Sequence, residues 1–246
     1  MKFIRTKSFK LAVYARGNKD AGRLALILPG RLDTKDYAHM RSHVEYLADK
    51  GFYAVSFDVP GTWESPGNLT DYTTSLYIKV VEEIIEHFNK PTILIGHSRG
   101  GAVAMLAGVN DTSVIAMVMV MATYGSPTPA NAEAVKLGYQ VERRDLPGKE
   151  SRTVMPRIYK LPIGFFKDGE KYHPGEVLKK STKPKLLIYG TRDEFTSPEK
   201  VKAIYESLPK PKVLHELDSD HDYRYRPEII KEVNETIGQS LASSVK

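Results

Sequence analysis

The sequence predicts an α/β protein of three layers, in which a mostly parallel central sheet is covered by helices on both faces. Two observations carry this prediction. Short apolar segments alternate with stretches of helical periodicity along most of the 246 residues, as in proteins built from successive strand–helix units. A composition of 41% hydrophobic and 27% charged residues is that of a globular chain with a substantial core.

The individual elements follow from this alternation. Strands are predicted at residues 11–14, 23–28, 52–57, 92–96, 114–122, 185–189 and 212–217. Helices are predicted before Gly51, which is placed as a C-cap, at about 71–88, at 100–108, at about 198–208 and through the periodic apolar residues of 229–241. The run at 114–122 is apolar throughout, which is typical of a strand buried on both faces.

The alternation of predicted strands and helices stops between residues 124 and 183, a segment with six prolines and several charged turns. Helical fragments are predicted near 130–137 and 176–180. A structureless connection of this length is unusual in a compact domain, so we expect an inserted cap or lid. Residues 1–123 and 184–246 are then expected to form the core domain, and residues 124–183 the inserted cap.

The composition excludes several classes of protein. The chain has no cysteine, which excludes disulfides, a thiol nucleophile and thiolate metal sites. Its longest clean apolar run is nine residues, too short to span a bilayer, and no signal peptide follows the basic N-terminus. No phosphate-binding or dinucleotide-binding glycine motif is present, and nothing calls for a cofactor or a metal. We therefore expect a cytoplasmic protein without a membrane span.

The net charge of +6 is concentrated in the predicted cap, where 12 Lys and Arg face 7 Asp and Glu. A solvated basic surface is the simplest interpretation. The alternative is a basic lid that attracts anionic substrates. Nucleic-acid binding is the least favoured interpretation, because no recognised nucleic-acid module is present. The oligomeric state is not determined by these features.

The most informative motif is Gly96-His97-Ser98-Arg99-Gly100, which lies directly between a predicted strand and a predicted helix. A nucleophile on such a sharp turn is lifted clear of the sheet, and the strained backbone accepts only small neighbours. The glycines meet that demand. The positive end of the following helix also favours an anionic intermediate.

This motif resembles the nucleophile elbow of the α/β-hydrolase fold family, and the similarity extends from about Leu24 to the last helix. The family has the chain order serine, acid, histidine. Asp193 follows a strand beyond the cap, and His221 lies in a loop before the last helix. The resemblance implies that Ser98 is the nucleophile, His221 the base and Asp193 the group that orients it. Glu194 is the alternative acid.

The resemblance also implies an oxyanion hole and part of a substrate pocket. The backbone N–H of Arg99 is the first expected donor, and the second comes from the loop after the strand RLALIL, with Arg31 favoured and Leu32 open because Pro29 replaces the family's usual histidine. Candidate pocket residues are Leu32, Trp63 and His97. For Trp63 a packed turn is favoured over a pocket lining, and for His97 we expect packing support.

Together these features predict a serine hydrolase that cleaves carboxylic esters of small or medium substrates, anionic ones included, through an acyl-enzyme. A thioesterase, a lysophospholipid-type lipase or a peptidase would use the same residues, because the fold does not choose among them. A non-catalytic binding protein on the same fold is the alternative of another class. The carboxylates that flank His221, Asp220 and Asp222, suggest a metal fragment only weakly, because no second ligand cluster accompanies them.

Overall fold

The computed structural model describes residues 2–148 and 155–244, and an eight-stranded sheet forms its centre. The strands of the described residues are β1 (Lys2–Arg5), β2 (Lys10–Arg16), β3 (Leu24–Leu28), β4 (Tyr53–Phe57), β5 (Thr92–His97), β6 (Val114–Val120), β7 (Tyr139–Arg144), β8 (Arg157–Pro162), β9 (Lys185–Gly190) and β10 (Lys212–Leu217). Eight of them form the central sheet in the order β1-β2-β4-β3-β5-β6-β9-β10, and all neighbours in it pair in parallel except β1 with β2 and β2 with β4.

Helices cover both faces of the sheet, which confirms the predicted three layers. Alternate residues of β3 divide between two apolar clusters, Leu24 and Leu26 in one, Ala25 and Ile27 in the other. The helices of the described residues are α1 (Ala38–Asp49), α2 (Thr74–Phe88), α3 (Arg99–Gly108), α4 (Ala132–Leu137), α5 (Ile163–Gly169), α6 (Pro174–Leu178), α7 (Pro198–Ser207) and α8 (Pro227–Ser244). Helices α2 and α3 contribute residues to the first cluster, and α1 and α8 contribute residues to the second.

One strand and two element boundaries show the main differences from the sequence prediction. Strand β1 was not predicted, because its residues KFIR are half charged and mostly exposed. Helix α2 begins at Thr74 rather than near 71, because the Thr73 side chain accepts the N–H of Leu76 and caps the helix, while residues 69–71 form a separate 3-10 turn. Strand β6 ends at Val120, because Met121 turns into the left-handed region with φ 46°.

The chain between β6 and β9, called the β6–β9 insertion below, leaves the central sheet. Its described part contains α4, the antiparallel pair β7–β8, α5 and α6. The two helical fragments predicted from sequence correspond to α4 and α6. The β7–β8 pair was missed because YQVERR and RIYKLP carry few consecutive apolar residues, and α5 was missed as well.

The parallel topology collects the candidate residues at one edge of the sheet. Arg31 follows β3, Ser98 follows β5, Asp193 follows β9 and His221 follows β10. Because parallel strands present their carboxyl ends at the same edge, residues far apart in sequence meet there. Over the ranges 2–148 and 155–244, none of the helices has the length and apolarity needed to cross a membrane.

Candidate active site

Ser98 occupies a strained turn between β5 and α3, with φ 53° and ψ −120°. A side chain at Gly96 would place its Cβ 2.2 Å from the carbonyl oxygen of Gly100. A side chain at Gly100 would lie 2.1 Å from the carbonyl oxygen of Leu28. The two glycines of the motif are therefore required by close backbone approach, which lets the serine side chain stand clear of the sheet.

Ser98, His221 and Asp193 form one hydrogen-bonded chain. The Nε2 atom of His221 lies 2.9 Å from Ser98 Oγ, and its Nδ1 atom lies 3.0 Å from Asp193 Oδ1. An ionised carboxylate can only accept, so Nδ1 carries a proton and the neutral ring offers the Nε2 lone pair to the serine hydroxyl. The arrangement can therefore remove a proton from Ser98.

Asp193 is held in its charged form by its surroundings. Burial opposes the charge, but the hydrogen bond with His221 and two backbone N–H groups hold the pKa of Asp193 below its usual value. Those N–H groups belong to Phe195 and Thr196, at 2.9 and 3.2 Å from Oδ1. Glu194, the alternative acid, instead accepts the backbone N–H of His221 at 3.2 Å.

The candidate oxyanion donors are the backbone N–H of Arg99 and that of either Arg31 or Leu32. Arg99 opens α3, so its N–H belongs to the first turn, where N–H groups have no intrahelical acceptor. In the β3 loop, the Leu32 N–H donates to Tyr72 Oη at 2.8 Å. The Leu32 N–H already has an acceptor, and this contact favours the Arg31 N–H as the second oxyanion donor.

The peptide group between Arg31 and Leu32 is held from both sides. Arg144, at the end of β7 in the β6–β9 insertion, donates to the Arg31 carbonyl oxygen through Nε at 2.9 Å and Nη2 at 2.8 Å. Tyr72 accepts the N–H of the same peptide group. Leu32 itself has φ 58°, an unusual conformation for a branched side chain. These contacts fix the backbone next to the Arg31 N–H.

Trp63 joins the core loop to the β6–β9 insertion. Its indole Nε1 donates to the Leu32 carbonyl oxygen at 2.8 Å, and its backbone N–H donates to Tyr159 Oη at 3.2 Å. The ring packs edge-on against Tyr159 and Tyr37, with centroids 5.9 Å apart in each pair. Trp63 therefore has a packing role, because its half-buried ring contacts both Tyr37 of the core and Tyr159 of the insertion.

His97 and Leu32, two of the candidate pocket residues, are buried. Their exposures are 5% and 1%. His97 Nε2 lies 3.1 Å from the backbone carbonyl oxygen of His221, which makes it a donor at that atom, and its Nδ1 lies 3.4 Å from Asp33 Oδ2. His97 thus links the loop after β3 to the loop that carries His221.

Asp33 is a buried residue that the sequence analysis missed. Its carboxylate also lies 3.6 Å from the guanidinium of Arg224 and 3.8 Å from that of Arg144. Burial alone would raise the pKa of Asp33, but the neighbouring His97 ring and the charges of the two arginines hold it well below the usual value. One carboxylate thereby contacts the β5 end, the His221 loop and the β6–β9 insertion.

The structure also places three side chains of metal-ligand type together. Asp33, His39 and His97 offer atoms within 4.8 Å of one another, and both ring nitrogens of buried His39 have no hydrogen-bond partner among the described residues. Arg224 and Arg144 already face the Asp33 carboxylate. Their positive charge would repel a divalent cation, so the donor set fits an ion-pair network better than a metal centre.

A serine at a strained strand–helix turn, joined to a histidine and an aspartate at the carboxyl edge of a parallel sheet, defines the class of α/β hydrolases. The model of the alpha/beta hydrolase family matches residues 25–233. The chain therefore belongs to the alpha/beta hydrolase family.

Individual relatives are distant. An uncharacterized hydrolase of Bacillus subtilis, YugF, is 26% identical over 89% of this chain and 92% of its own length. The mitochondrial palmitoyl-protein thioesterase ABHD10 of Bos taurus is 25% identical over a match that covers 69% of this chain and 56% of that protein. Among solved structures, Est1E from Butyrivibrio proteoclasticus with bound ferulic acid has a TM-score of 0.78 at 19% identity, covering 100% of this chain and 99% of Est1E.

Proposed function

We propose that this protein is a serine hydrolase that cleaves carboxylic esters of small or medium substrates through an acyl-enzyme intermediate. The observation that carries the proposal is the hydrogen-bonded chain from Asp193 through His221 to Ser98, with the serine on its strained turn. Residues 124–183 act as a cap over this edge of the core domain.

In the first half of the reaction, Ser98 Oγ attacks the carbonyl carbon of the ester while His221 Nε2 takes the hydroxyl proton. The resulting imidazolium is stabilised by the buried carboxylate of Asp193. The developing negative charge on the carbonyl oxygen is stabilised by the N–H groups of Arg99 and Arg31. His221 then returns its proton to the leaving alcohol, and the carbon–oxygen bond to the alcohol breaks.

In the second half, water replaces the alcohol. His221 removes a proton from a water molecule that attacks the acyl-enzyme, and the same N–H groups stabilise the second oxyanion. Collapse of this intermediate releases the carboxylic acid and returns the proton to Ser98. No redox step occurs, and the cycle consumes only the ester and water.

A thioester substrate is the second candidate. It is supported by the similarity to ABHD10, named as a palmitoyl-protein thioesterase. The same nucleophile, base and oxyanion donors would serve, because thioesters react through the same tetrahedral intermediate. A panel of matched oxygen esters and thioesters separates the candidates through kcat/KM.

Labelling with a fluorophosphonate probe, read by intact mass, tests the proposal. We expect one adduct on the wild type and none on Ser98→Ala. Ser126→Ala is the matched control, because Ser126 Oγ also lies 3.1 Å from a histidine nitrogen, that of His173, yet is exposed. It should label like the wild type. Absence of an adduct on all three proteins would contradict the proposal and favour a non-catalytic binding protein.

A further inference from the structure

The side chain of Arg99 is buried beside the nucleophile without a hydrogen-bond partner. The residue is 8% exposed, and its Nε, Nη1 and Nη2 atoms make no hydrogen bond to any described residue. Buried polar groups are almost always satisfied, and a guanidinium offers five N–H donors. The reaction proposed above uses only the backbone N–H of this residue, so its charged group has no role there.

Aromatic rings surround this guanidinium. Its Cζ atom lies 4.4 Å from the ring centre of Tyr72, 4.5 Å from that of Phe165 and 5.4 Å from that of Tyr77. The Tyr72 and Phe165 rings are nearly parallel, at 7°. Such rings attract a cation through their faces but leave the in-plane N–H groups unpaired. The surroundings stabilise the charge and do not supply an acceptor.

Other arginines near the oxyanion loop have acidic partners. Arg31 lies 3.4 Å from Glu142, and Arg144 lies 3.8 Å from the same side chain. No ion pair joins Arg99 to an acidic residue within residues 2–148 and 155–244. Arg99 is therefore the arginine of this group whose charge has no acidic partner among the described residues.

The position of Arg99 points to the acyl side of the substrate. His221 protonates the leaving group, so the alcohol lies on its side, next to Phe195, whose ring centre is 4.7 Å from that of His221. The ring contacts of Arg99 involve other residues. The Phe165 ring comes from the β6–β9 insertion and the two tyrosines from the core, so the guanidinium lies where the two parts meet.

We propose that Arg99 binds a free carboxylate at the far end of the acyl group, so that the preferred substrates are monoesters of dicarboxylic acids. This inference rests on the proposed esterase function. A guanidinium matches a carboxylate with two parallel N–H···O bonds, and the low polarity of an aromatic surrounding strengthens them. The Phe165 ring covers one side of the guanidinium at 4.5 Å, so a carboxylate would reach Arg99 only with this ring displaced.

The test compares nitrophenyl hemiesters of dicarboxylic acids with neutral acyl esters of matched chain length, over four to eight carbons. We expect the wild type to prefer the anionic ester at least tenfold in kcat/KM at one chain length or more. Arg99→Met keeps an apolar stem among the rings but removes the charge, and should lower this anionic-to-neutral ratio at least tenfold. Arg99→Lys, which keeps the charge without the fork, should give an intermediate ratio.

Arg157→Met is the matched control. Arg157 is an exposed cation of the same insertion, with its Cζ 5.1 Å from the Trp63 ring centre. If general attraction by the basic insertion caused the preference, this variant would lower the ratio as much as Arg99→Met, and 0.5 M salt would abolish it. Either result would overturn the inference, as would a wild type that prefers neutral esters at every length.

A second measurement covers the case in which Arg99→Met does not fold. Inhibition of the wild type by free diacids should then exceed inhibition by monoacids of equal length at least tenfold, and equal inhibition would reject the inference. The two proposals fail differently. Hydrolysis of neutral esters without an anionic preference removes only the Arg99 site, whereas no hydrolysis and no fluorophosphonate adduct removes the esterase function itself.

Discussion

Arg144 donates two hydrogen bonds to the backbone carbonyl oxygen of Arg31, although the two residues lie 113 positions apart in the chain. The contact joins the β6–β9 insertion to the loop proposed to stabilise the oxyanion. Tyr72 holds the other polar group of the same peptide unit. The backbone next to the Arg31 N–H is therefore held in part by a residue of the β6–β9 insertion.

Replacement of Arg144 by methionine should lower kcat about tenfold or more with a smaller change in KM, because a misaligned oxyanion donor acts on the transition state. Arg144→Lys should recover part of the loss through a single hydrogen bond. Arg143→Met, an exposed neighbour in β7, serves as control. Steady-state kinetics on a neutral ester decide the matter, and a rise in KM at unchanged kcat would assign Arg144 to substrate binding instead.

Asp193→Asn should lower kcat by about 10³ to 10⁴, because the neutral amide neither fixes the His221 tautomer nor stabilises its cation. Glu194→Gln, which keeps an acceptor for the His221 backbone N–H, should cost less than about tenfold. The kcat/KM of each variant is compared with that of the wild type, and equal melting temperatures show that the substitutions leave the fold intact. A larger loss in Glu194→Gln than in Asp193→Asn would make Glu194 the acid.

The protein should lose stability in mild acid through a buried histidine. Burial lowers the pKa of His43 to about 4, and its ring lies between Asn234 at 2.6 Å and Tyr223 Oη at 2.8 Å. An unfolded histidine titrates near pH 6.5. Between these values the unfolded chain binds more protons, so the free energy of unfolding falls as the pH decreases from about 6.5 to 4.

From pH 7 to pH 5 this histidine alone removes about 2 kcal/mol. Urea unfolding at both pH values should show that His43→Gln reduces the difference by this amount. His87→Gln, at an exposed position of α2, should leave the pH dependence as it is. If the free energy of unfolding fell equally between pH 7 and pH 5 in the wild type and in His43→Gln, other groups would be the cause.

Gly96→Ala should destabilise the fold by at least about 2 kcal/mol, since its Cβ would lie 2.2 Å from a backbone oxygen that cannot move aside. Gly164→Ala is the control, because nothing lies within 4 Å of a Cβ there and alanine favours the helix by less than about 1 kcal/mol. The midpoint of chemical unfolding measures both. Equal midpoints would contradict the requirement for glycine at the turn.

The sequence was sufficient for the fold and for the positions of the candidate reacting groups, because both depend on local patterns. Alternating apolar runs define strands and helices, and Gly96 to Gly100 carries a turn whose strain demands small residues. Asp193 and His221 each follow a strand, and parallel topology then brings them together.

The supporting contacts were beyond sequence analysis. Asp33, Tyr72 and Arg144 are ordinary polar residues in loops or exposed strands, and their roles arise from partners distant in the chain. The β7–β8 pair was missed for a related reason, since much of its surface is polar and one strand alone has little apolar periodicity. No local signal marks such residues, because tertiary packing alone selects their partners.

The bond between Arg144 and the Arg31 carbonyl oxygen has a consequence for protein engineering. A chimera in which the insertion of another hydrolase replaced this one would treat the insertion as a modular part. Here a transplanted segment would also have to supply a donor to that carbonyl oxygen. A library of exchanged segments should therefore retain an arginine at the position that corresponds to the end of β7.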